Sequence, residues 1–158
     1  MEVDGLRGAY AALFAEVDGG PFRAPVGDEL SAEQVLAHLV ANDELLIAAT
    51  EAVLAGSPYA YYELDTIHRP QLDDLIDRYG GLDGLASRLR TTSGQLCGLT
   101  GQLLDKTDAL VQTRIREGVR IDIDEALPWG RALDIHRRVH LPAHTDDLRA
   151  LHDPPSPS

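Results

Sequence analysis

The chain has 158 residues, of which 44% are hydrophobic and 25% charged, a composition typical of one globular domain. Its formal net charge of −12 at pH 7 argues against nucleic-acid and anionic-membrane partners, because both require a basic face. A single cysteine, Cys97, excludes an internal disulfide bond.

The hydropathy profile predicts a cytoplasmic protein. The N-terminal sequence is acidic and lacks the apolar run of a signal peptide, and no apolar stretch approaches the length of a membrane span. We therefore expect a single domain over residues 1–152 and a disordered Pro/Ser tail over residues 153–158. Nearly all positive charge is arginine, which together with abundant Ala, Gly and Leu indicates a GC-rich, actinobacterial genome.

Two helices are predicted in the first third of the chain. The first runs from Val3 to Val17, with apolar residues at helical spacing, and ends before a Gly-Gly-Pro sequence. The second runs from Ser31 to Gly56, where Ser31 and Gln34 form a capping box and the glycine is the C-cap. Apolar residues surround this second helix nearly completely, so we expect it to be central.

A long connection and a third long helix follow. The connection spans Ser57–Gly81 and ends in a short helical piece, Leu72–Tyr79. Leucines at helical spacing predict the third long helix over Leu82–Leu104.

The segment from Val111 to Ile123 changes from helical spacing to the alternation that is typical of strands. A three-residue turn at Arg116–Gly118, with the glycine in the left-handed conformation, predicts a β-hairpin. That turn pairs Ile115 with Val119, Thr113 with Ile121, and Val111 with Ile123.

A fourth helix is predicted from Trp129 to Leu151, opened by Pro128 and bent at Pro142. Four helices of this length, one of them central, predict an all-α four-helix bundle. Its second and third connections are long, and it carries one short extra helix and a small β-hairpin before the last helix.

The fourth helix carries three histidines, His136, His140 and His144, each four residues from the next. Residues at this spacing lie about 6 Å apart along the helix axis on one face, so two imidazoles can bind one metal ion. His38 can supply a third ligand if the second helix packs beside the fourth. Three neutral imidazoles with open coordination positions are typical of a catalytic site for zinc, with nickel and iron as alternatives.

A solvated helix face is the alternative interpretation of the same stripe. Leu133, Val139 and Leu148 nevertheless surround these histidines with apolar side chains. Buried imidazoles cost free energy unless each nitrogen has a partner, and a metal ion is such a partner.

With His38 near the start of the second helix and the His140-x3-His144 pair on the fourth, the chain resembles the DinB-like superfamily over about Val3–Leu151. This superfamily of metal-dependent four-helix bundles includes mycothiol-dependent maleylpyruvate isomerases and bacterial thiol S-transferases. The resemblance implies a divalent metal between helices two and four, held by these three histidines, with His136 as an outer donor or pocket residue. The isomerases use a glutamate ligand on the last helix, and since this chain has no glutamate after Trp129, isomerase activity is not implied.

Further polar and aromatic residues are candidates for orienting a ligand or lining a pocket, or are ordinary helix and core residues. These candidates are Asn42, Asp43, Asp146, Asp147, Trp129 and Tyr62. His68, in the long connection, is a further candidate ligand, and Cys97 is expected to behave as a small hydrophobic residue.

The site predicts a metal-dependent enzyme with a small-molecule substrate. A three-histidine metal can deprotonate a bound thiol, or lower the pKa of a water molecule to about 7. The resemblance implies the first chemistry, transfer of a low-molecular-weight thiol such as mycothiol to an electrophile. The alternatives are a metal-dependent hydrolase, a non-catalytic bundle that binds a small molecule or metal, and a homodimer with an idle site.

Overall fold

The computed structural model of the protein describes residues 3–62, 69–117 and 121–152. The predictions for His68, for Gly118 and Val119 of the hairpin, and for the tail 153–158 lie outside these residues. The described chain is mainly helical, with a small sheet of strand order β1-β2-β3. Its helices are all too short or too polar to cross a membrane.

The helices lie where the sequence predicts them, to within about one turn at each end. The elements in chain order are α1 Val3–Asp18, α2 Ala32–Ala55, β1 Ala60–Tyr62, α3 Arg69–Tyr79, α4 Leu82–Gly101, β2 Leu110–Glu117, β3 Ile121–Pro128, α5 Trp129–Ile135 and α6 Leu141–Ala150. A 3-10 turn at Leu104–Asp108 precedes β2. A π-helical turn over His136–His140 joins α5 directly to α6, and we call these three segments the C-terminal helix.

Both ends of α2 are fixed by the predicted caps. Ser31 Oγ accepts a hydrogen bond from the Gln34 N–H at 3.1 Å, and Gln34 Oε1 accepts one from the Ser31 N–H at 3.0 Å. At the C-cap, Gly56 has a φ of 70°, a conformation that favours glycine. Because α2 contacts α3, α4, α6 and β1, it is the central helix, as predicted.

The long helices contact one another in a closed order: α2 packs on α4, α4 on α1, α1 on α6, and α6 on α2. Fully buried leucines from every one of them fill the space between, including Leu6, Leu13, Leu36, Leu39, Leu89, Leu96 and Leu148. This order places the C-terminal helix beside α2 and so brings its histidines next to His38.

The predicted hairpin exists, but its predicted register was wrong. In the antiparallel pair β2–β3, Ile115 lies opposite Ile123, and Glu117 lies opposite Ile121. The sequence analysis ended the first strand at Ile115 and placed the turn over Arg116–Gly118, whereas β2 continues to Glu117.

The prediction of which residues share a face of the sheet was still correct, because the observed pairing differs from the predicted one by an even number of residues. Val111, Thr113 and Ile115 are buried on one face of β2, as alternation predicted. The prediction of two strands was also incomplete, since β1 pairs in parallel with β2, with Tyr61 opposite Thr113. A strand of this length is too short for its alternation to be read from the sequence.

A π turn lies directly before Pro142, the residue at which the sequence predicts a bend of the helix. Proline lacks an N–H, and its ring clashes with the carbonyl of the preceding turn of an α-helix. Just before Pro142, the Leu141 N–H bonds to the His136 carbonyl, five residues back, which defines a π-helical hydrogen bond. Two of the three histidines of the stripe therefore belong to a locally widened helix.

Candidate metal centre

His38 from α2 and His140 and His144 from the C-terminal helix form a buried cluster. Each residue offers a ligand nitrogen within 4.8 Å of the other two. Their exposed fractions are 0%, 5% and 7%, so the stripe is not a solvated helix face. The Nε2 atoms of His38 and His140 lie 3.0 Å apart, close to the separation of two nitrogens that each bind one ion at about 2.0–2.1 Å.

The ring of His38 lies against both rings from the C-terminal helix. Its centroid is 5.2 Å from that of His140 and 4.8 Å from that of His144, and the latter two are 4.7 Å apart. All three predicted ligands are therefore brought together, and the contact between α2 and α6 explains why.

Polar partners orient two of these imidazoles from behind. The Nδ1 atom of His144 lies 3.1 Å from Asp147 Oδ2, a bond in which the imidazole donates when neutral, so that Nε2 is its ligand atom. The Nδ1 atom of His140 lies 3.2 Å from the Asn42 side-chain nitrogen and 2.9 Å from His136 Nδ1. Asp146, in contrast, points outward and pairs with Arg149 at 3.0 Å.

Asp43 is hydrogen-bonded to two residues outside the three-histidine cluster. Its carboxylate accepts hydrogen bonds from the Tyr10 hydroxyl at 2.5 Å and the Thr92 hydroxyl at 2.8 Å. The same Tyr10 hydroxyl lies 2.8 Å from His136 Nε2. A continuous buried chain of hydrogen bonds therefore connects Asp43, through Tyr10 and His136, to His140.

Burial raises the pKa of Asp43 to about 7, although the hydrogen bonds from Tyr10 and Thr92 lower it; the charge of Glu44 raises it further. Burial also raises the pKa of Tyr10 well above its ordinary value, and the charge of Asp43 adds to this effect. Tyr10 is therefore a hydrogen-bond donor across the physiological range, while the charge of Asp43 changes near neutral pH.

Tyr61 reaches the site, whereas the predicted pocket residue Tyr62 faces away from it. The Tyr61 hydroxyl is hydrogen-bonded to the Asn42 side-chain amide. Neighbouring residues of a strand point to opposite faces, and the Tyr62 ring packs 5.0 Å from the guanidinium of Arg114.

Trp129 lies in the core beside Tyr61, with ring centroids 5.7 Å apart. Its indole is fully buried, and its Nε1–H donates to Thr50 Oγ1 at 2.9 Å. Cys97 is also buried, as expected, and burial raises the pKa of its thiol to about 11. Neither side chain contributes a reactive group to the histidine cluster.

Tyr10 and Thr92 were not predicted from the sequence as site residues. Tyr10 lies on the apolar face of α1, and Thr92 lies in the polar middle of α4. A hydroxyl at an inward helix position needs a hydrogen-bond partner, and that requirement is the signal that could have identified both residues. Their shared partner, Asp43, could only be found once the packing of α1, α2 and α4 was known.

A cavity of about 280 Å³ adjoins the cluster through Asp147. It is lined by Asp28, Glu29, Leu30, Val35, Asp147, Ala150 and Leu151. A larger cleft of about 510 Å³ lies on the outer side of the C-terminal helix, where Arg137 and Arg138 pair with Asp134. Asp147 lines the smaller cavity and contacts His144 at 3.1 Å, so the smaller cavity is the better candidate for ligand access.

Comparison with protein-family models, with curated proteins and with solved structures gave no match to this chain. The geometry of the histidine cluster is therefore the basis for assigning a function.

Proposed function

We propose that this protein is a metal-dependent enzyme whose divalent ion is bound by His38, His140 and His144. The observation that carries the proposal is the burial of three imidazoles whose ligand nitrogens lie within 4.8 Å of one another. Imidazole nitrogens in an apolar interior cost free energy without partners, and a shared ion satisfies one nitrogen on each ring.

The chemistry of the donor set fits a borderline metal. The ligands are all nitrogens, which suit zinc, with nickel and iron as alternatives. Asp147 and Asn42 lie against the outer nitrogens of His144 and His140, where orienting partners of metal-bound imidazoles lie. The closed packing order of α1, α6, α2 and α4 supports a DinB-like four-helix bundle with its metal between α2 and the C-terminal helix.

The reaction we propose is transfer of a low-molecular-weight thiol, mycothiol or a similar compound, to an electrophilic small molecule. When bound, a divalent ion held by neutral imidazoles lowers the pKa of a coordinated thiol and so makes a thiolate available at neutral pH. The sulfur forms a bond to the electrophilic carbon, whose leaving group departs with the electron pair, while the thiol proton passes to solvent. The walls of the adjoining cavity are partly apolar, from Leu30, Val35 and Leu151, and partly acidic, from Asp28, Glu29 and Asp147.

The proposal is tested by incubating the zinc-loaded protein with mycothiol and a panel of alkylating electrophiles, and measuring loss of free thiol. The matched control is the His140→Ala variant, which keeps the cavity but lacks a ligand. We expect thiol consumption that requires both the metal and His140. Metal-dependent turnover of esters or amides without thiol would instead assign a hydrolase, and metal binding without turnover would assign a binding protein.

A further inference from the structure

We infer that Tyr10 and Asp43 are positioning residues: acting through His136, they hold the imidazole of His140 in the tautomer with its hydrogen on Nδ1 and its lone pair on Nε2. The functional role of this tautomer, which is to leave Nε2 available to a metal ion, rests on the proposed function. The hydrogen-bond relay itself is a property of the folded chain and can be measured without any ion.

The relay begins at the carboxylate of Asp43. Above its pKa of about 7, the Asp43 carboxylate is ionised and can only accept hydrogen bonds, so the Tyr10 hydroxyl must donate its single hydrogen to Asp43 Oδ1 at 2.5 Å. Thr92 donates to the other carboxylate oxygen at 2.8 Å and holds the group in place. With its hydrogen directed to Asp43, the Tyr10 oxygen can only accept from any further partner.

That further partner is His136. Its Nε2 atom lies 2.8 Å from the Tyr10 hydroxyl oxygen and must therefore carry the hydrogen of this bond. The direct distance from His136 Nε2 to Asp43 Oδ1 is 3.8 Å, too long for a hydrogen bond, so Tyr10 is the link between them. A neutral imidazole has one N–H, and His136 Nδ1 is consequently an acceptor.

The last step sets the tautomer of His140. Its Nδ1 atom lies 2.9 Å from His136 Nδ1, and since the latter accepts, His140 Nδ1 must donate. The lone pair of His140 is then on Nε2, the atom 3.0 Å from His38 Nε2. This is the form that a metal ion requires, and in the metal-free protein the Nε2–H of His38 can donate to it.

The relay also fixes the orientation of the Asn42 side-chain amide. In the structure the side-chain nitrogen of Asn42 lies 3.2 Å from His140 Nδ1, and the side-chain oxygen accepts from the Tyr61 hydroxyl. The relay requires the opposite amide orientation, with the oxygen accepting from His140 Nδ1–H and the NH2 group donating to Tyr61. The oxygen and nitrogen of an amide have nearly the same shape, and the surrounding network decides which faces which partner. If Asn42 donated to His140 instead, the hydrogen would move to Nε2 and the ring could not bind metal in this orientation.

The test is to determine the histidine tautomers of the metal-free protein by NMR, with ¹⁵N-labelled histidine at about pH 8.5, where imidazoles are neutral. Nitrogen shifts and long-range proton–nitrogen couplings distinguish Nδ1–H from Nε2–H. We expect His140 as the Nδ1–H form and His136 as the Nε2–H form in the wild-type protein. His140 as the Nε2–H form would overturn the relay, and this result needs no variant to fold.

Tyr10→Phe tests whether Tyr10 sets that form, Asp43→Asn tests whether an uncharged acceptor at position 43 is sufficient, and a third variant is the control. Tyr10→Phe should give a mixture of His140 tautomers and weaken zinc binding about 10–100-fold. Asp43→Asn should retain the wild-type tautomers, because the asparagine oxygen can still accept a hydrogen bond from Tyr10. The asparagine NH2 group can donate to the Thr92 oxygen, and the Thr92 hydroxyl can then donate to the Leu89 carbonyl, which lies 3.1 Å away. The matched control is Thr50→Val, which loses a buried hydroxyl that is bonded to Trp129 and lies outside the relay. This variant should leave the His140 tautomer and the zinc affinity unchanged.

The two proposals fail in different ways. Unchanged tautomers in Tyr10→Phe would overturn the positioning role even if the protein binds zinc. The expected tautomers in a protein that binds no metal would support the relay and overturn the proposed function.

Discussion

His140 is the residue on which most of the site depends. Its Nε2 faces His38, its ring packs against His144, and its Nδ1 contacts both Asn42 and His136. His136 lies outside the group of three histidines whose ligand nitrogens are within 4.8 Å of one another, and its own nitrogens contact Tyr10 and His140. Ligands and orienting residues therefore have different expected mutational effects.

Substitution of the histidines should separate these roles. His38→Ala and His140→Ala should each abolish most of the zinc affinity, because each vacates a coordination position, whereas His136→Ala should weaken binding only about 10–100-fold. Calorimetric titration of the metal-free variants measures the difference. Equal losses for all three would show that His136 is itself a ligand and that the ligand set has been misassigned.

Asp43 should make the stability of the metal-free protein depend on pH. Its pKa is raised from 3.8 to about 7 on folding, so the native state holds a proton that the unfolded state releases between these values. The stabilisation is present in full below the unfolded pKa and is lost as the pH rises through about 7. At about 1.4 kcal/mol per pKa unit, the loss amounts to a few kcal/mol.

Urea unfolding of the wild-type protein and Asp43→Asn at several pH values between 4 and 8 checks this prediction, with Asp146→Asn, an exposed aspartate, as the control. The stability of Asp43→Asn relative to wild type should rise with pH, while that of Asp146→Asn should not. Parallel pH profiles for wild type and Asp43→Asn would contradict the raised pKa.

At the scale of single elements, the C-terminal helix does the most to shape the site. It supplies two of the three histidines of the proposed metal site, and the π turn over His136–His140 lies immediately before Pro142. π turns are rare, occur mostly as single turns inside α-helices, and are frequently found at functional sites.

Replacing Pro142 with alanine should restore an ordinary helix. The new N–H can bond to the carbonyl one turn earlier, so we expect the metal-free protein to keep or increase its melting temperature. Zinc affinity should fall about tenfold or more, because the ligands of the widened turn lose their orientation. Zinc affinity equal to that of wild type would show that the π turn does not position the ligands.

At the scale of the whole molecule, the sequence predicted what depends on periodicity within one segment. The sequence predicted the helix positions, the caps of α2 and the histidine stripe, because each of these is determined by residues close together in the chain. The hairpin register was not predicted, since alternation is unchanged when a pairing shifts by an even number of residues. The relay through Tyr10 and Thr92 was also unreadable, because it joins α1, α2, α4 and the C-terminal helix, which only tertiary packing brings together.

Metal binding should stabilise the folded protein in a pH-dependent way. An ion that binds only the native state adds about 2.7 kcal/mol at a hundredfold excess over its Kd. Histidine ligands bind only when neutral, so the zinc-induced rise in melting temperature should shrink as the pH falls from about 7 to 5. Melting curves with zinc and with chelator across this range measure it. A constant rise down to pH 5 would indicate carboxylate ligands instead.

The most direct test of the metal centre is calorimetric titration of the metal-free protein with zinc at pH 7. The cluster of His38, His140 and His144 predicts one ion per chain, bound more tightly than micromolar, and loss of this binding in His140→Ala. Absence of binding at micromolar zinc, or equal binding by the variant, would contradict the three-histidine centre.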